Sequence, residues 1–175
     1  MKPKNIHTLA LSALAGSLAI TPVSATEHEV GEFGHLLDAC YASATDAQAR
    51  QACIGEMSTV CMDQDGGQTT LGMSSCLNAE AEVWDALLNK EYKSTRAWMT
   101  AADADEAEYF PDFARRAETL LAAQRAWIVF RDAQCDLAYA QWGSGSMRSI
   151  AWADCRMQIT ADRTLELRSM REAFE

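Results

Sequence analysis

From about residue 34 onward, apolar residues recur every three or four positions, the spacing of amphipathic helices. The longest run is Met73, Leu77, Ala81, Trp84, Leu88, Tyr92, Thr95 and Met99, and it predicts a helix from Thr70 to about Ala102. A second run, Phe113, Ala117, Leu120, Leu121, Trp127, Ile128, Cys135 and Ala138, predicts another from Asp112 to about Gln141. Shorter helices are expected at Gly34 to about Ser43 and at Asp46 to about Met62, the latter capped by Thr45 or Asp46. A last one is expected from Met147 to about Glu172, with a break near Thr160. The longest two are separated by the acidic run 103–108, closed by Pro111, and the last two by Gly143-Ser144-Gly145-Ser146. There is no internal repeat, and the pattern shows no heptad seam. These elements predict an all-α fold, a bundle of four to five helices in antiparallel hairpins, as a single domain over 26–175.

The first 25 residues follow a different rule. Lys2 and Lys4 precede an apolar run from Leu9 to Ile20, then Pro22 and the small residues Val23-Ser24-Ala25. This is the layout of a signal peptide cleaved near Ala25. The apolar run is too short for the roughly 20 residues of a membrane span. A periplasmic or secreted protein without a membrane span is therefore expected.

Composition narrows the partners. At 49% hydrophobic and 23% charged residues the chain is too apolar to be disordered. With 3 Pro and 9 Gly it is poor in helix breakers. The net charge of -10 argues against nucleic acid, which needs phosphate-neutralising surface. Loss of Lys2 and Lys4 with the signal peptide would take it to -12.

All six cysteines, Cys40, Cys53, Cys61, Cys76, Cys135 and Cys155, follow the predicted cleavage point. In an oxidising compartment they are expected to be disulfides. In helical hairpins a bridge should straddle a turn. The midpoints of Cys40–Cys53, Cys61–Cys76 and Cys135–Cys155 all fall on turn signals, which favours sequential pairing. Cys53–Cys61 and Cys40–Cys61 stay open as alternatives. There is no Cys-x-x-Cys redox pair, and His28 and His35 stand apart from the cysteines, so neither a metal nor another cofactor is expected. Asp63, Asp65 and Gly66 lack the closing Glu of a calcium loop, because Ser74 stands there, and they read as a turn.

Polar residues interrupt the stripe of the helix that starts near Asp112. With Leu120 at zero, Gln124 and Arg131 project at roughly 40° and 20°, in the middle of the apolar face. A desolvated guanidinium needs a partner. Asp85 and Asn89, one turn apart on the preceding helix, can meet Gln124 and Arg131 if the two helices pack antiparallel. With Tyr92 and Asp132 these residues form either a polar clamp that sets helix register or a pocket for a ligand. Asp85 and Asp132 would be the candidate acids of an enzyme. No cleft is located by the sequence, so catalysis is not expected.

Two strings, Cys76-Leu77-Asn78-Ala79-Glu80 with Trp84-Asp85-Ala86-Leu87-Leu88-Asn89-Lys90-Glu91-Tyr92, and Gln124-Arg125-Ala126-Trp127-Ile128-Val129-Phe130-Arg131-Asp132-Ala133-Gln134-Cys135, are followed by Cys155 and Thr160-Ala161-Asp162-Arg163. Together they resemble the LprI-like family of exported bacterial helical domains, named for a lysozyme inhibitor. The likeness is strongest over 76–167. It implies a helical, exported, non-enzymatic protein that inhibits a lysozyme or a related cell-wall lytic enzyme. The alternative is an envelope-stress or interaction domain of the periplasm with a different partner.

An acidic protein is drawn to basic lysozymes, with charge setting rate and a few buried anchors setting affinity. Asp103, Asp105, Glu106 and Glu108 are the expected acidic surface, against the alternative of a solvated connector. Trp142, Ser144 and Met147 are the expected anchor region, against the alternative of a Trp that caps the end of the bundle.

Overall fold

The computed structural model describes residues 25–173, so the predicted signal peptide lies outside the described residues except for Ala25. The elements are α1 (Ala25–Ser43), α2 (Ala47–Gln51), α3 (Glu56–Met62), α4 (Thr70–Ala107), a 3-10 turn (Pro111–Phe113), α5 (Arg116–Ala140) and α6 (Arg148–Glu172). There is no strand among the described residues, and the chain is all-α.

The spine is α4, 38 residues long, or about 57 Å at 1.5 Å per residue. Its start is set by Thr69, whose hydroxyl accepts from the Gly72 N–H at 3.0 Å. The preceding turn closes onto this start so tightly that a Cβ at Gly72 would lie 2.2 Å from the Gly66 carbonyl oxygen. Helix α6 packs along α4 more extensively than any other element, while α1, α3 and α5 take its remaining sides. That is why α4 buries more than the predicted stripe. Leu77, Ala81, Trp84, Leu88 and Thr95 are buried as expected, and Ala79, Glu80, Val83, Leu87 and Glu91 are buried as well. Trp84 is fully buried at the centre of the main core and meets Tyr41 of α1 edge-on, with ring centroids 5.8 Å apart.

Several boundaries differ from the sequence reading, each for a local reason. α1 begins at Ala25, well before Gly34. The single helix expected over 46–62 is two. Asp46 caps α2, accepting from the Ala49 N–H at 2.8 Å, and the chain then turns at Gly55, whose φ of 88° is left-handed. The acidic connector is helical, because α4 runs on to Ala107 through Ala101, Ala102 and Ala104, good helix formers that outweigh the acids. Helix α5 therefore starts at Arg116, beyond the turn made by Pro111. No break occurs near Thr160: it is buried, and its carbonyl accepts from Thr164 Oγ1 at 2.8 Å.

The break at Gly55 is anchored by Glu80 of α4. Its carboxylate is fully buried and accepts from the backbone N–H groups of Gly55 and Ser58, each at 2.7 Å, and from Trp84 Nε1 at 3.0 Å. A negative group at a helix N-terminus meets both the unpaired N–H donors and the positive end of the dipole. A side chain of α4 thus caps α3. The disulfides run sequentially, Cys40–Cys53, Cys61–Cys76 and Cys135–Cys155, and tie α1 to the residues after α2, α3 to α4, and α5 to α6. In the chain-entropy account each is worth about 3 kcal/mol through the unfolded state.

A second polar lock closes the other half. Glu91 is buried, accepts from Tyr41 Oη at 3.1 Å and pairs with Arg171. Arg171 also donates to Thr95 Oγ1 at 2.6 Å. Burial, together with the neighbouring Glu91, pushes the Tyr41 hydroxyl up to about 12 against the opposing pull of Arg168. Arg50 of α2 forms a two-pronged pair with Glu172 at 2.9 and 2.8 Å, which pins α2 to the end of α6.

Removing the Glu80 carboxylate leaves three buried donors unmet. Glu80→Ala is expected to lower unfolding free energy by roughly 3–5 kcal/mol, and Glu80→Gln by about 1–3 kcal/mol, in urea titrations of the oxidised protein. A loss under 1 kcal/mol for Glu80→Ala would contradict the capping role. The Glu172 carboxyl is held below its usual range first by its hydrogen bond from Arg168 and then, against desolvation, by Arg50. Its contribution is present above the usual carboxylate range and is lost as pH falls through the lowered value. Glu172→Gln should therefore be less stable than wild type near neutrality and decline less steeply on acidification, in melts recorded between about pH 7 and pH 3.

Candidate functional site

Helices α4 and α5 form the hairpin that carries most of the polar residues singled out from the sequence. Asp85, Leu88, Asn89 and Tyr92 from α4 face Leu121, Gln124, Arg125, Trp127, Ile128 and Arg131 from α5 across a cleft of about 320 Å³. Arg131 is mostly covered. Its Nη1 lies 3.8 Å from Asp85 Oδ1, its Nε donates to Asp132 Oδ1 at 2.9 Å, and its guanidinium stacks over Trp127, 5.2 Å from the ring centroid. Asn89 Nδ2 donates to Asp85 Oδ2 at 3.0 Å. The structure thus brings Asp85, Asn89, Arg131 and Asp132 together.

Gln124 lines the same cleft, but its hydrogen bond goes to α6 and not to Asp85 or Asn89. Its Oε1 accepts from Arg163 Nε of α6 at 3.0 Å, and Arg163 Nη1 donates to Glu166 at 2.7 Å. The reason is that α6 brings its own buried guanidinium against α5, and Gln124 supplies the acceptor for its Nε. The polar positions therefore serve two contacts, α4 to α5 through Arg131 and α5 to α6 through Gln124. The Tyr92 ring lines the cleft, and its buried hydroxyl has no hydrogen-bond partner among the described residues.

The tip of the hairpin is built by the acids. Asp103 accepts from the backbone N–H groups of Arg116 and Ala117, both at 2.9 Å, and so caps α5 from α4. Arg116 turns back to Asp103 at 3.2 Å and to Glu106 at 2.7 Å. Desolvation works against ionisation of Asp103, but the two N–H groups and the Arg116 guanidinium outweigh it and hold its carboxyl below the usual range. Asp103 and Glu106 are thus turned inward. Asp105 and Glu108 are exposed, as is Asp112 in the turn. Around them Tyr109, Phe110 and Phe113 are 71%, 59% and 72% exposed.

Phe113 corrects the sequence reading, which set it on the buried stripe: the helix starts after it, so its side chain faces solvent. Ile128 of the same predicted stripe is also exposed. Tyr109 and Phe110 were missed altogether. The signal for them was an aromatic pair beside Pro111, inside an acidic run and outside any helical stripe.

Trp142 and Met147 are partly exposed and Ser144 is exposed at the α5–α6 turn, where Gly143 takes a left-handed φ of 52°. This turn and the acidic tip lie at opposite ends of α5, which at 25 residues is about 37 Å long. They do not form one surface. Glu29, Cys61 and Cys76 come close enough to suggest metal ligands, but both sulfurs are spent in a disulfide. No helix among the described residues is long and apolar enough to cross a membrane.

Comparison with known proteins places this geometry. The model of the family described as lysozyme inhibitor LprI matches residues 61–167, from α3 through most of α6. An uncharacterised protein of Rhizobium meliloti (strain 1021) is 35% identical over 105 residues, 60% of this chain and 76% of that protein. The uncharacterised protein YecT of Escherichia coli (strain K12) is 30% identical over 105 residues, 58% of this chain and 64% of that protein. No solved structure matches the chain. The three disulfides are those of a protein exported to an oxidising compartment. With more than half of its length matched, the chain belongs to the LprI family of lysozyme inhibitors.

Proposed function

We propose that this protein inhibits a basic lysozyme, or a related cell-wall lytic enzyme, in the periplasm, and that it does so by docking the tip of the α4–α5 hairpin. The observation that carries this reading is that Tyr109, Phe110 and Phe113 are largely exposed on one turn, with exposed Asp105, Glu108 and Asp112 beside them in the chain. Exposed aromatics on a braced turn are the residues that supply most of the energy of an interface. The acids beside them attract a basic partner and raise its rate of encounter. The brace is Asp103 with Arg116, which holds the turn before any partner arrives and so lowers the ordering cost of binding.

The family description supports the class of target. The cleft residues take a different part in this proposal. Asp85 and Asp132 both lie against Arg131 and are read as part of the contact between α4 and α5. The α5–α6 turn with Trp142, Ser144 and Met147 stands outside the proposed contact.

The test is titration of a cationic lysozyme with the oxidised protein, at low and physiological salt, on whole cell walls and on a small glycan. An unrelated protein of similar charge serves as the control. Stoichiometric inhibition of both substrates that survives physiological salt and exceeds the control is expected. Inhibition that the control matches would reduce the effect to charge, and no inhibition of any basic lysozyme would give the domain a different partner. Phe110→Ala and Phe113→Ala should each weaken inhibition by about 30-fold, the measure of a 2 kcal/mol anchor, without lowering the melting temperature. Replacing Asp105 and Glu108 by Asn and Gln should slow association at low salt. The difference from wild type should shrink once the screening length falls to about 8 Å at physiological salt.

A further inference from the structure

Helix α5 is apolar on two faces, and only one of them is covered. Leu120, Gln124 and Cys135 are buried toward α4 and α6. On the opposite side Thr119, Ala123, Ala126, Phe130, Ala133, Leu137 and Ala140 are all exposed. Their spacing alternates between four and three residues, and at 100° per residue they fall in an arc of roughly 100° that contains no charge. Ala122 and Val129 widen it on one side. Phe130, Leu137 and Val129 are 55%, 52% and 70% exposed, so the large side chains of this seam lie in water. The seam spans three heptads. It escaped the sequence pattern because its residues interleave along the chain with the buried stripe of the same helix.

We infer that this face pairs with the same face of a second copy of the chain, the two α5 helices running antiparallel. The placing of charge selects this occupant. Along the Val129 flank of the seam stand Arg125, Asp132 and Asp136, all exposed. If a two-fold axis passes beside Val129 and Phe130, Arg125 of each copy falls between Asp132 and Asp136 of the other, within about 3 Å along the helix axis. The same register sets Phe130 beside Phe130 of the second copy, flanked by its Ala126 and Ala133, and Leu137 against its Ala122 and Ala123. The aromatic rings thus meet at the centre of the seam, and Leu137 meets small residues toward each end, where the helices can approach closely. A parallel pair would instead set each charged residue beside its own copy.

The area limits the strength. A 25-residue helix face about 37 Å long and 10–12 Å wide covers roughly 400 Å² per copy, about half that of a standard interface. The net charge of -10 on each copy also opposes association. The dimer is weak, with a dissociation constant above about 1 µM. Its two acidic tips project past opposite ends of the seam, so pairing is independent of tip binding.

The experiment is sedimentation equilibrium of the oxidised chain from about 10 µM to about 1 mM, with Phe130→Asp as the disrupting variant. Reversible dimerisation of wild type is expected. Phe130→Asp, on an exposed face, should remain monomeric with an unchanged melting temperature. Arg125→Asp should weaken the dimer, and adding Asp136→Arg should restore it. A wild-type chain that stays monomeric throughout, or a dimer unaffected by Phe130→Asp, would overturn the proposal. So would failure of the charge swap to restore association, since it would exclude the antiparallel register. A monomer whose α5 face is protected from hydrogen exchange only when lysozyme is added would assign the face to that partner and overturn self-pairing.

Discussion

A carboxylate with no access to water has to be met by donors, and Glu80 is met by three that come from two different elements. That single requirement fixes much of the N-terminal half. It needs the Gly55 N–H to point at α4, which the left-handed turn at Gly55 allows. The Ser58 N–H must lie beside it, which sets the direction of α3. With α3 docked on α4, Cys61 comes to rest against Cys76, and Cys53 is carried to Cys40 on α1. The indole of Trp84, one turn along α4, is held by the same carboxylate and fills the core between α1 and α6. The cost of burying a charge is turned into positional order, as it must be when the alternative is an unmet ion.

The C-terminal half is assembled on different terms. Helix α6 is locked to α4 by Glu91, Arg171 and Thr95, whereas α5 rests on fewer buried groups. Its position is set at four points along its length: Asp103 at its start, Gln124 with Arg163 and Asp85 with Arg131 near the middle, and the Cys135–Cys155 disulfide near its end. A helix held at points rather than along a full face can leave large apolar residues in water. This is why the hairpin of α4 and α5 carries both the aromatic tip and the uncovered seam. The features that suit this protein to binding follow from how sparingly α5 is attached.

The helical class, the two long helices and the sequential disulfides were legible in the sequence, because each depends on local spacing: apolar residues three or four apart, and cysteines astride turns. What could not be read came from tertiary partners. Gly55 looks like an ordinary helical residue until Glu80 reaches it from 25 positions away. The acidic run looked like a connector because its composition is polar, yet its alanines keep it helical and Asp103 serves as a cap for the next helix. Gln124 was rightly marked as a polar residue in an apolar face. Its partner, Arg163, lies on a helix whose packing could not be foreseen from the stripe alone. Tyr109 and Phe110 belong to no periodic pattern, and only the fold reveals that they stand largely exposed.

Everything proposed for binding rests on the α4–α5 tip as the surface that would meet the lytic enzyme. The most direct measurement is hydrogen–deuterium exchange of the oxidised protein, alone and with a stoichiometric cationic lysozyme at physiological salt. Protection concentrated in residues 103–116, with the cleft around Arg131 and the α5–α6 turn unchanged, is the predicted result. Protection at Trp142 and its neighbours with none at the tip would contradict the account.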